Sequence, residues 1–376
     1  MINLDITNVR NFAPHYLSYM KDRVLDKINT MSLSRINPFT SLPIKSMLDN
    51  NGVKTPEFIE VLLSENLEDI CSKYPEVDNY LLSCKFVFYS GFRVRKELKR
   101  VGKTGNTTNI KDFRKLYVSK YDNPWINSII RKHNNYFEKD ESFKQLVNEV
   151  KSKINFLNET IGEIINYELI KKEERHILLY NFGVEVCPYC NRNYISKYKR
   201  NGILKTTADL DHFYPKTGFP LFSLSLHNFV PSCQICNSRF KLAKGVEVIN
   251  PYNEKINYNQ FKFSHNLNYN SDASIFFNEN NKFDIRIECK NERYLNNIEL
   301  FELEKLYNTH KSLVAEIVYK KEAYNKSYQE LFKNLFKGMD LTEAEINHFL
   351  YGINMDESTF YRKPLSKLIY DIVNDD

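Results

Sequence analysis

Four of the cysteines fall in two C-x-x-C pairs, Cys187-Pro188-Tyr189-Cys190 and Cys233-Gln234-Ile235-Cys236. A two-residue gap lets both sulfurs of one turn reach a single metal at the Zn–S distance of about 2.3 Å. Two such turns complete a tetrahedral set with no open coordination position. The implied zinc is therefore structural and ties distant parts of the chain together. Cys71, Cys84 and Cys289 are scattered, and the total of seven is odd. In an intracellular protein that pattern favours metal binding over disulfides. A redox C-x-x-C is the weaker rival, because nothing like a thioredoxin βαβ unit surrounds either pair.

Between the pairs runs DLDHFYPK, Asp209 to Lys216, followed by Asn228 and then by Asn237 directly after the last knuckle cysteine. Asp211 and Asn237 offer hard oxygen ligands, which suit Mg²⁺ or Mn²⁺ rather than a second zinc. His212, next to Asp211, carries an imidazole with a reference pKa of about 6.5, fit to take a proton from water at neutral pH. From Cys187 to Gly245 nine Lys or Arg face two acids, Asp209 and Asp211, a net of +7. The whole chain carries +6, so the remainder sums to −1. Positive charge concentrated in one segment befits a surface that meets phosphates, although a solvated basic face has the same composition. Lys216, Arg239, Lys241 and Lys244 are the candidate phosphate holders. A metal, a base and a basic rim make a phosphodiester hydrolysis site.

The order of these elements resembles the HNH (ββα-metal) endonuclease family. The likeness covers CPYC, DLDHFYPK, LSLHNFVPSCQIC and CNSRFKLAKG, roughly Val186 to Gly245. It implies His212 as general base, Asp211 and Asn237 as ligands of a catalytic Mg²⁺ or Mn²⁺, and Asn228 as the brace of the loop that carries His212. Many members have Lys three residues after the final Asn. Here Phe240 stands there, leaving Lys241 or Lys244 for the phosphate. With NPYN at 250 to 253 and LEKLYNTH at 303 to 310, the wording is similar to HNH proteins of bacterial anti-phage defence, of the Septu and retron-associated kind. That likeness implies a separate ATPase partner.

The elements that must position these residues follow from periodicity. The expected fold is α+β and mostly helical, with a ββα-metal core between helical flanks. Residues 1–177 read as a helical domain with a sensing or docking role, 178–255 as the nuclease domain, and 256–376 as a small hairpin with helices packed on it. Glu57 to Ile70 and Ser142 to Tyr167 carry apolar residues at helical spacing. Asn201-Gly202 signals a hairpin. NSRFKLAKG predicts a short helix closed by Gly245, and Ile275 to Phe277 is the expected partner of the alternating run from Phe283 to Cys289. Thr342 and Glu345 form a capping box. His227 reads as a β-edge residue and His310 as part of a helical core.

A hydrophobic content of 42% with 27% charged residues describes a globular chain rather than a disordered one. The N-terminus has no secretory pattern, and no apolar run reaches membrane-spanning length, so a cytoplasmic location is expected. The leading reading is a metal-dependent endonuclease, DNA favoured over RNA. The alternative is a zinc-knuckle nucleic-acid-binding protein without catalysis, which would need none of Asp211, His212 and Asn237.

Overall fold

Phe143, Leu146, Val150, Ile154 and Leu157 are the buried stripe of a long helix, Asp140–Ile164, and stripes of this kind build most of the molecule. The computed structural model describes residues 2–4, 6–30, 35–48, 55–102, 107–252, 256–267, 283–336, 338 and 341–375. Among them the chain begins with α1 (Ile6–Thr30), α2 (Lys45–Leu48), α3 (Thr55–Ser64), α4 (Leu67–Lys73) and α5 (Pro75–Gly102). It continues with α6 (Thr107–Lys120), α7 (Pro124–Ile130), α8 (Asp140–Ile164) and α9 (Lys172–Asn181). The apolar run expected as one helix from Glu57 to Ile70 is two, because Asn66 caps α4 by accepting from the Glu68 amide.

Among the described residues three two-stranded antiparallel sheets follow. β1 (Lys197–Arg200) and β2 (Ile203–Thr206) form the Asn-Gly hairpin, with Asn201 at φ 52° and Gly202 at φ 75°. β3 (Asp209–His212) pairs with β4 (Phe229–Ser232), so Asp211 faces Val230 and His212 faces Phe229. β5 (Phe261–His265) pairs with β6 (Ile285–Cys289). The expected partner of β6, Ile275 to Phe277, lies outside the described residues. The C-terminal part holds α10 (Glu292–Leu300), α11 (Leu303–Tyr307), α12 (Lys311–Ala323), α13 (Lys326–Leu335), α14 (Glu343–Tyr351) and α15 (Ser366–Val373). The Thr342–Glu345 capping box opens α14.

One continuous apolar core runs through the N-terminal, knuckle and C-terminal parts, from Ile2 to Ile372. The N-terminal helices brace the β3–β4 region directly. Tyr16 donates to the Leu224 carbonyl at 2.7 Å, Asn158 to Gly218 O at 3.0 Å, and Ser223 Oγ to Ile165 O at 2.8 Å. No helix among the described residues is long and apolar enough to cross a membrane.

Candidate functional site

The four knuckle cysteines meet. Cys187, Cys190, Cys233 and Cys236 are buried, free of disulfides, and have their sulfurs within 4.8 Å of one another. A tetrahedral zinc with Zn–S near 2.3 Å separates its sulfurs by about 3.8 Å, so the cluster fits such an ion. The first knuckle is closed by Val186 bridging Tyr194 and by the Cys187 amide on Asn193 O at 3.0 Å. Its turn needs a left-handed residue, and Asn191 supplies it at φ 50°. The Asn191 side chain accepts from the Lys367 amide at 3.2 Å and donates to Phe360 O at 3.1 Å, fastening the knuckle to α15. Donors also reach the sulfurs: Arg192 N lies 3.4 Å from Cys190 Sγ, and Asn193 Nδ2 lies 3.2 Å from Cys233 Sγ. Bonds within the cluster pull the thiols of Cys190 and Cys233 down. Burial pushes Cys187 up, and bonds to its neighbours push Cys236 up. As four thiolates this close, they would need a cation to share.

Tyr189, inside the first knuckle, joins this cluster to the strand. Its ring stacks on Phe301 at 4.8 Å, and its hydroxyl donates to Asp211 Oδ2 at 2.6 Å. Lys241 Nζ reaches the same carboxylate at 2.9 and 3.1 Å and donates to His212 O at 2.5 Å. Burial pushes the Asp211 carboxyl up, and the Lys241 ammonium opposes it. Lys241 is only 4% exposed. It is therefore corrected from a phosphate holder on the rim to the buried counter-charge of Asp211.

A π-turn explains how Lys241 arrives there. Cys236–Lys241 is a π-helix rather than the expected short helix closed by Gly245, and Leu242 N bonds Asn237 O at 3.0 Å. The wider turn takes one extra residue and swings Lys241 inward. Leu242 ends it at φ 47°, a region costly for a residue with a Cβ. Gly245 serves packing instead. A Cβ there would stand 2.2 Å from Phe88 O, so only glycine lets this segment lie against α5.

Asn237 turns to a different acid. Its amide nitrogen bonds Asp209 Oδ2 at 3.1 Å, an acid the sequence reading left without a role. Both Asp211 oxygens contact Lys241, and one also holds the Tyr189 hydroxyl. With these bonds in place, Asp211 and Asn237 are engaged elsewhere, and Asp211 presents no free oxygen to a shared divalent metal in this arrangement.

His212 is 8% exposed, with Nε2 at 2.9 Å from Ser223 O. A carbonyl only accepts, so Nε2 carries the hydrogen and Nδ1 keeps its lone pair. Burial lowers its pKa to about 4, with Lys241, Lys216 and Arg175 adding to the effect against the Ser223 bond. Phe229 and Tyr167 hold the ring edge-on at 5.1 and 4.8 Å. Asn228 is fully buried. It accepts from Tyr214 N at 2.8 Å and donates to Tyr214 O at 3.0 Å and Phe222 O at 2.9 Å, clamping both ends of the loop between β3 and β4.

His227 is corrected from a β-edge residue to a buried member of the 3-10 turn Leu226–Asn228. His310 is half-buried and accepts from Arg192 Nε at 3.2 Å, close to the first knuckle. Lys216, Arg239 and Lys244 are surface residues. No family model, no curated protein and no solved structure matches this chain.

Proposed function

We propose that the chain hydrolyses phosphodiester bonds of nucleic acid, DNA before RNA, with His212 as general base. The observation that supports this best is the Nε2–Ser223 carbonyl bond, which leaves an unprotonated Nδ1 on a ring held in place by Tyr167 and Phe229. Burial and nearby cations keep the imidazole neutral at pH 7, the form that can accept a proton. An incoming phosphate brings negative charge, which shifts the imidazole pKa upward toward the working range of a base. Asn228 keeps the loop at the geometry the ring requires. Asp211 holds Lys241, and Lys241 holds the His212 carbonyl, so this pair positions the strand end that bears the base. The structural zinc holds the knuckles from which Tyr189 and Asn237 extend. In the setting we propose, the activity is an anti-phage effector working with an ATPase partner, and co-purification from the native host tests that association.

The absence of a carboxylate free for a divalent ion at Asp211 favours a second reading, a nucleic-acid-binding protein without catalysis. Cleavage of plasmid, linear DNA and RNA by the wild type and His212→Ala, across a metal panel, separates the two. A binding protein leaves every substrate intact.

A further inference from the structure

Tyr167 and Arg175 belong to none of the sequence motifs, yet Tyr167 packs on His212 and Arg175 packs on Tyr167. The Tyr167 ring is 4.8 Å from the imidazole. The Arg175 guanidinium lies over that ring at 4.1 Å, and Lys216 Nζ lies over it at 4.8 Å. The helical region before the knuckles thus contributes a tyrosine and an arginine, and the loop after β3 contributes the lysine. Two cations crowded on one ring repel each other unless an anion bridges them. Glu168 does so here: Oε2 is 3.1 Å from Arg175 Nη2, and Oε1 is 3.9 Å from Lys216 Nζ. The Glu168 side chain is 71% exposed, and ion pairs so open to water exchange readily. Arg175 has a second anchor, because its Nε donates to Ile170 O at 3.1 Å. Its planar fork matches a phosphate with two donors, which a carboxylate only imitates.

We propose that Arg175 and Lys216, gathered over Tyr167, form a subsite for a backbone phosphate of a nucleic-acid strand, and that Glu168 occupies it until the strand arrives. This rests on reading the surroundings of His212 as a nucleic-acid site. The strand would displace the carboxylate and lie against the tyrosine ring, with a neighbouring phosphodiester presented to the imidazole.

The test is fluorescence anisotropy of a labelled DNA oligonucleotide, single-stranded and duplex, titrated with the full chain at several salt concentrations. Glu168→Gln removes the competing charge at an exposed position and should tighten binding about fivefold. Arg175→Ala and Lys216→Ala should weaken it and each reduce the slope of log affinity on log salt by about 0.7 to 0.9. Arg175→Lys should recover only part of the loss. Thermal melts of the variants show whether any loss is one of folding. If Glu168→Gln binds no tighter and both alanine variants keep the wild-type slope, the subsite is refuted. Binding is read without cleavage, so the two ideas fail separately. An uncut oligonucleotide whose binding needs Arg175 sinks the nuclease alone. Normal cleavage and binding by the alanine variants sinks the subsite alone.

Discussion

The Tyr189 hydroxyl donates to the Asp211 carboxylate at 2.6 Å. A residue inside the first cysteine knuckle thereby grips the strand that ends in His212, and the cysteine cluster and the candidate base become one mechanical unit. Tyr189→Phe keeps the stack on Phe301 and removes only this bond. It leaves a buried carboxylate short of a donor, which should cost about 1 to 3 kcal/mol in urea unfolding. A variant as stable as the wild type would break the proposed link.

Metal analysis should find about one zinc per chain, as one closed tetrahedral site requires. Cys233→Ser should lose it and become insoluble or rapidly digested by trypsin, because Cys233 and Cys236 anchor the turn that carries Asn237 and Lys241. A stable, zinc-free Cys233→Ser protein would contradict a structural role for the cluster.

Lys241 and Asp211 are 5% and 6% exposed at their side chains, so removing either partner strands a buried charge. Lys241→Met alone should destabilise by roughly 3 to 5 kcal/mol, and adding Asp211→Asn should recover much of that. Chemical denaturation of the two singles and the double provides the comparison. A single variant within about 1 kcal/mol of wild type would show that the pair bears little of the load.

Acid should weaken the fold through its histidines. His227 is 2% exposed and finds no well-formed hydrogen bond at either ring nitrogen. Burial lowers its pKa from 6.5 to about 4, the Glu65 backbone opposing, with Arg10 lowering it and Asp69 raising it. His212 is shifted as far. Both pKa values are depressed in the folded state, so the unfolded chain binds more protons between about pH 4 and 6.5. Stability is full above that window and falls through it as pH drops, by up to about 3 kcal/mol per histidine. His227→Leu should flatten the dependence of the urea midpoint on pH across this range. An unchanged slope would place the acid sensitivity elsewhere.

Local chemistry made much of this legible. Knuckle spacing identified the four cysteines, Asn201-Gly202 the hairpin, Thr342 with Glu345 the start of α14, and apolar periodicity the length of α8. What sequence could not convey depends on distance along the chain or on an irregular turn. β5 joins β6 across a separation that alternation alone does not reveal. The π-turn is a one-residue widening that periodicity of 3.6 cannot register, and it moved Lys241 from rim to interior. Tyr167 and Arg175 carry no motif, since only packing brings Tyr167 against His212 and Arg175 over Tyr167. The one available signal was the offset itself, Phe240 where a lysine was expected and a lysine one residue later.

The most direct test of the central claim is cleavage of supercoiled plasmid by the purified full chain and by His212→Ala, with zinc content and thermal midpoint recorded for both. The account predicts nicked and linear products from the wild type, and a loss of about 10² to 10⁴ in rate for His212→Ala at unchanged zinc content. Equal cleavage by the two proteins, or an intact plasmid from a folded, zinc-loaded wild type under every metal condition, would contradict it.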